Sequence, residues 1–121
     1  MIASGTVNSR LEAILRIVAR GPDGATEEFD AVIDTGYSGS LLLPASLVRA
    51  LGLVKRSSGR AQLADGSVRS MDSYLTEVWW GGTWQSVVAS VLDQESLVGM
   101  SFLEGRELAI HVTPGGSVRV T

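Results

Sequence analysis

The sequence predicts an all-β domain, a closed or strongly curled antiparallel barrel with one or two short helices. Three observations predict it. Short apolar or alternating segments recur along the chain, which is the pattern of strands. Turn signals separate them at Gly21-Pro22-Asp23-Gly24, Ala64-Asp65-Gly66-Ser67, Gly81-Gly82 and Thr113-Pro114-Gly115-Gly116, where Gly and Pro supply backbone angles that end a strand. Helical composition is confined to brief stretches. The sum is roughly eight or nine strands, enough for a sheet to close on itself.

Taken in order, residues 1–10 are small and polar and read as a loose arm or an edge strand. Leu11 to Ala19 reads as a strand interrupted by Glu12 and Arg16, and Thr26 to Ile33 as its return, so residues 11–34 form a hairpin. Ser40-Leu41-Leu42-Leu43 is a short buried strand. Pro44 suits the first turn of a helix over Ala45 to Leu51, and Gly52 suits its stop. Leu53 to Leu63 and Val68 to Trp80 flank an Asp-Gly turn, a hairpin signal. Tyr74–Trp80 then turns through Gly81-Gly82 into Thr83–Val91. Trp79, Trp80 and Trp84 gather around that turn, where large aromatics suit a core or a subunit interface better than a ligand platform. Glu107 to Val112 and Ser117 to Val120 are two closing strands.

The 121 residues fit a single domain over 1–121. An apolar fraction of 45% can fill a core, and 19% charge does not suggest disorder. The net charge of −3 is spread along the chain, which argues against a nucleic-acid surface. The absence of cysteine excludes disulfides and thiolate metal sites and makes a cytoplasmic location the default. Met1 to Arg10 lacks a signal-peptide pattern and no run reaches transmembrane length, so no membrane partner is expected.

The chain is organised around Ala31-Val32-Ile33-Asp34-Thr35-Gly36. An apolar run ends in one acid, one hydroxyl and one glycine, which reads as a buried strand delivering a carboxylate to a tight loop. Downstream lies Leu97-Val98-Gly99, followed by the helix-like Met100-Ser101-Phe102-Leu103. With these two motifs the sequence resembles the aspartic proteases, in their single-domain, retropepsin-like branch. The resemblance spans most of the chain, from Leu11 to Val112. It implies an acid-protease barrel that works as a two-fold homodimer, and an aspartic endopeptidase acting on an extended peptide. It implies that Asp34 is the catalytic carboxylate, that Thr35 cross-links the two active-site loops, and that the Gly36 N–H approaches carboxylate and substrate. Leu97, Val98 and Gly99 would support the loop, and the 61–74 hairpin, with Ala64, Asp65, Gly66 and Ser67 at its tip, would be the flap over the substrate. Tyr37 stands where that family has Ala or Ser. Its ring could line the substrate cleft, fill a neighbouring pocket or crowd the carboxylates.

Hydrolysis by carboxyl groups needs one ionised member to take a proton from water and one protonated member to polarise the carbonyl. No metal or organic cofactor is required. The chain has a single Asp-Thr-Gly, so the pair must come from two copies of the chain across a two-fold axis. Other chemistries find less support. His111 is the only histidine and no Gly-x-Ser-x-Gly elbow surrounds Ser38 or Ser40. Lys55 is the only lysine and no phosphate loop contains it. Two further readings stay open: a non-catalytic homodimer of the same fold that binds peptides or assembles other proteins, and a small-ligand barrel.

Overall fold

The computed structural model describes residues 2–62, 64–91 and 95–121. Leu63, the predicted end of the strand from Leu53, lies outside the described residues. The elements in chain order are β1 (Ala3–Val7), β2 (Ala13–Arg20), β3 (Thr26–Ile33), β4 (Leu41–Leu42), α1 (Ala45–Leu51), β5 (Lys55–Gln62), β6 (Val68–Trp80), β7 (Thr83–Val91), β8 (Leu97–Val98), α2 (Met100–Leu103), β9 (Leu108–Ile110) and β10 (Ser117–Val120). The strands join in the order β5-β6-β7-β4-β8-β3-β2-β1-β10-β9, and β6 returns to pair with β2. That return closes β2, β3, β8, β4, β7 and β6 into a six-stranded barrel. Most pairs are antiparallel, while β3–β8 and β4–β7 run parallel.

Period-two alternation decides which faces point inward. On β2, Leu15, Ile17 and Ala19 are buried. Arg16, between them, faces out and forms ion pairs with Glu28 at 2.9 Å and Asp30 at 3.1 Å on β3. Exposed pairs of this kind add little stability. Phe29 and Ala31 of β3, Val78 and Trp80 of β6, and Val118 and Val120 of β10 fill the same core. The barrel closes where Ala19 meets Val78 and Arg20 meets Glu77. Arg20 Nε pairs with Glu77 Oε1 at 2.9 Å, and the buried Thr76 hydroxyl donates to the Arg20 carbonyl at 3.0 Å. The seam thus satisfies a polar group that would otherwise be stranded in the core.

α1 forms as its sequence predicts. Val48 and Leu51 are its buried residues, and Gly52 ends it in the left-handed region at φ 64°, with its N–H reaching the Arg49 and Val48 carbonyls. The Gly81-Gly82 turn holds φ of 65° and 85°, the doubly positive pair a two-residue hairpin needs.

Three expectations change. The described part of the segment 1–10 is neither a loose arm nor an edge strand, because β1 (Ala3–Val7) lies between β2 and β10. Val7 is buried, and Gly5 lies so close to the Ile14 carbonyl that a Cβ there would sit 1.7 Å from its oxygen. The second strand starts at Ala13 rather than Leu11, because Asn8 Oδ1 accepts the N–H groups of Arg10 and Glu12 at 3.0 and 2.9 Å. That side chain replaces ladder partners and makes residues 8–12 a turn. The tryptophan cluster also divides. Trp80 is buried against Phe102 with ring centroids 4.4 Å apart, while Trp79 and Trp84 pair edge-to-face at 5.3 Å on the outer face. Consecutive strand residues point to opposite faces, so Trp79 and Trp80 cannot share one cluster. Among the described residues, no helix is long and apolar enough to cross a membrane.

Candidate active site

β3 carries Asp34 to the edge of the core. Val32 and Ile33 run parallel to Leu97 and Val98 of β8, and the Asp34 N–H continues the ladder to the Val98 carbonyl at 2.9 Å. The chain then turns. The Tyr37 N–H bonds to the Asp34 carbonyl at 3.1 Å, and the Gly36 N–H donates to Asp34 Oδ1 at 2.9 Å. The half-buried carboxylate is therefore oriented by the amide of its own loop. Thr35 and Gly36 are exposed at the turn.

The loop is held from below by the segment that opens α2. The N–H groups of Gly99, Met100 and Ser101 donate to the carbonyls of Ser40, Tyr37 and Gly39 at 2.8, 2.8 and 3.2 Å. The Ser101 hydroxyl donates to the Ser38 carbonyl. Every carbonyl from Tyr37 to Ser40 is thus satisfied by residues 99–101. The first N–H groups of a helix lack partners within it, and here they bind the Asp34 loop. Val98 is fully buried and pairs with both Ile33 and Leu41, so β8 wedges between the strands before and after the loop.

Gly99 is extended, at φ −100° and ψ 179°, so its backbone angles do not demand glycine. Space does. A Cβ would lie 2.1 Å from the Gly39 carbonyl oxygen, 2.5 Å from the Tyr37 ring and 2.8 Å from the Tyr37 carbonyl oxygen. Gly99 thus packs directly against the Asp34 loop, while Leu97 and Val98 pair with the strands before and after it. Sequence reasoning missed Ser101 and Ser90. No motif marks either; only the fold brings their hydroxyls to the loop.

Tyr37 takes the second of its three expected places. Its ring packs against Gly39 and Gly99, and its phenol shares a hydrogen bond with the Ser90 hydroxyl on β7. Burial pushes the phenol's pKa above its ordinary value, and the Ser90 bond only partly offsets this. A raised folded-state pKa favours the protonated phenol in the native protein. Stability is therefore fully present below the unfolded value near 10 and is lost as pH rises through the folded value. Tyr37→Phe is expected to flatten that alkaline loss, and to cost about 1 kcal/mol at neutral pH through the missing hydrogen bond. Urea unfolding of both proteins between neutral pH and pH 11 measures it.

The predicted hairpin is present as β5 and β6, registered from Lys55 opposite Tyr74 to Gln62 opposite Val68. Ala64, Asp65, Gly66 and Ser67 lie at its tip. Asp65 Oδ1 accepts the Ser67 hydroxyl at 2.6 Å and the Ser67 N–H at 2.9 Å, and Gly66 has φ 87°. The Ser67 hydroxyl, with the backbone N–H, holds the Asp65 carboxyl below its ordinary pKa. This contribution to the turn is present above the unfolded value and is lost as pH falls through the folded one.

The aspartyl protease family profile matches residues 20–102, and the chain belongs to that family. Its fold is retropepsin-like. It is similar to the crystal structure of a retropepsin-like aspartic protease from Rickettsia conorii, with 17% identity over 100% of this chain and 96% of that chain, and a TM-score of 0.53. No curated protein matches the chain.

Proposed function

We propose that the protein is an aspartic endopeptidase whose catalytic pair is Asp34 and its copy across a two-fold axis. The observation that carries this reading is the Asp34 loop: a strand-end carboxylate oriented by the Gly36 N–H and tied from beneath through every carbonyl of residues 37–40. Such bracing suits a group that must keep its position during a reaction. Membership of the aspartyl protease family supports the same chemistry.

Two carboxyl groups held together share one proton, because both cannot ionise at close range. The ionised member accepts a proton from water as the oxygen adds to the scissile carbonyl carbon. The protonated member gives its proton to the carbonyl oxygen, forming a neutral tetrahedral diol. Collapse breaks the C–N bond as the amine nitrogen takes up a proton, releasing an acid and an amine. The apparent pKa values belong to the pair. Thr35, exposed at the turn, would tie the two loops together across the axis. The β5–β6 hairpin would close over the peptide with Ala64–Ser67 at its tip, gripping an extended chain through main-chain hydrogen bonds.

The test is cleavage of a mixed library of unstructured peptides, with dimer content followed by sedimentation in the same samples. Activity per protomer should fall in step with the dimer fraction on dilution. Full specific activity in a monomeric sample rejects the shared pair. One observation favours a second reading, a non-catalytic homodimer that binds peptides or assembles other proteins. The phenol that stands in the family's Ala or Ser position bonds Ser90, whereas a serine there can bond the carboxylate. Peptide binding by a confirmed dimer without cleavage at any pH would select that reading.

A further inference from the structure

β6 is 13 residues long and changes partner along one edge. Val68–Tyr74 pair with β5, and Glu77 and Val78 pair with β2. Leu75 and Thr76 fall between the two, where β5 has not yet begun and β2 has ended. The gap is a cleft of about 380 Å³ on the outside of the barrel. Its floor includes Leu75 and Ser86, one wall is Arg20-Gly21-Pro22, and the other is Val54-Lys55-Arg56. A volume of this order accommodates a large side chain or two smaller ones.

Two features give the cleft a chemistry. It is apolar where exposure is unusual: Val54 is 72% and Leu75 47% exposed. It is also cationic on balance at the rim, where Arg20, Lys55 and Arg56 outnumber the one lining carboxylate, Glu77. The register shifts between Lys55 and Ser57, so Arg56 is an extra residue on β5 and both Lys55 and Arg56 line the cleft. Bulges re-aim side chains in this way. Arg20 is paired with Glu77 and Lys55 with Asp72, but Arg56 has no ion pair among the described residues. The charge continues along the hairpin. Lys55, Arg56, Arg60 and Arg69 stand against Asp65 and Asp72, a net of +2 in a chain of net −3. β5 ends the strand order, so its outer edge has no partner strand among the described residues.

From the cationic rim, the apolar floor and the free strand edge, we infer a docking site for an extended acidic segment of another protein. One large apolar residue would enter the cleft, and flanking carboxylates would meet Arg56 and Arg60. The free edge of β5 would supply main-chain hydrogen bonds, as in strand addition. The cleft itself is separate from Asp34. Arg20 and Thr26 pair at the turn end of the β2–β3 hairpin, and Asp34 follows the far end of β3, about 25 Å along the strand.

The experiment measures binding without cleavage. The full chain carrying Asp34→Asn is titrated into a fluorescein-labelled peptide in which one leucine is followed by three aspartates, read by anisotropy at low salt. The expected result is saturable binding that weakens about tenfold with Arg56→Glu, the size of one charge-assisted contact. It should weaken further with salt, and Leu75→Asp should remove it. A peptide with lysines in place of the aspartates should not bind. Absence of binding, or equal binding by Arg56→Glu and the parent, overturns the proposal. Because Asp34 is already replaced, neither outcome depends on whether the protein is a protease. Far-UV circular dichroism of Arg56→Glu, an exposed change, guards against misfolding.

Discussion

Asp34→Asn should lower peptide cleavage by about a thousandfold or more while leaving dimer content unchanged. The substitution is nearly isosteric, and its amide oxygen can still accept the Gly36 N–H that now bonds Oδ1 at 2.9 Å. What it removes is the ability to hold or release a proton. Mixing makes the test sharper. If both protomers contribute Asp34 to one site, a dimer with one replaced chain has a single carboxyl and cannot share a proton. In an equimolar mixture after subunit exchange, only about one quarter of the dimers keep both carboxyls under random two-fold pairing. Activity should fall to that level. A fall to one half would mean that each protomer works alone and would reject the shared pair.

Gly99→Ala should cost about 3 kcal/mol of stability and most of the activity. The new methyl would sit 2.1 Å from the Gly39 carbonyl oxygen and 2.8 Å from that of Tyr37. Both obstacles are backbone atoms of the Asp34 loop, so no side-chain rotation relieves the clash, and overpacking of this kind sits at the upper end of its usual range. Displacement would also stretch the bonds from Gly99, Met100 and Ser101 to Ser40, Tyr37 and Gly39. Met100→Ala, next door and exposed, should change stability by no more than about 0.5 kcal/mol. Urea unfolding at one protein concentration compares them, since dimerisation would couple stability to concentration. Equal effects at the two positions would mean that the loop does not rest on Gly99.

Much of this fold is legible in the chain itself. Strong turn signals marked the β2–β3, β5–β6 and β6–β7 hairpins, and Gly52 marked the end of α1 within its capping residue. These features are local: a glycine at positive φ or an alternating strand needs no knowledge of distant residues. The N-terminal segment was misread for the opposite reason. Nothing within Ala3–Val7 announces that β10 will pair along it more than a hundred residues later. The start of β2 failed because one Asn8 side chain captured backbone donors that the apolar pattern assigned to a strand.

The site divides along the same line. The sequence by itself determined that a carboxylate would stand at the end of an apolar strand, with Thr35 and Gly36 after it and a second apolar-glycine motif far downstream. Covalent order and burial preference settle that much. Only the tertiary structure decided that Gly99, Met100 and Ser101 would hold the carbonyls of residues 37–40, and that Tyr37 would turn to Ser90. It also decided that β6 would change partners and leave a cleft beside Arg56. Each depends on which strands become neighbours. Strand pairing is a long-range choice made by the whole core, and a one-dimensional pattern carries the inclination to form a strand but not the identity of its partner.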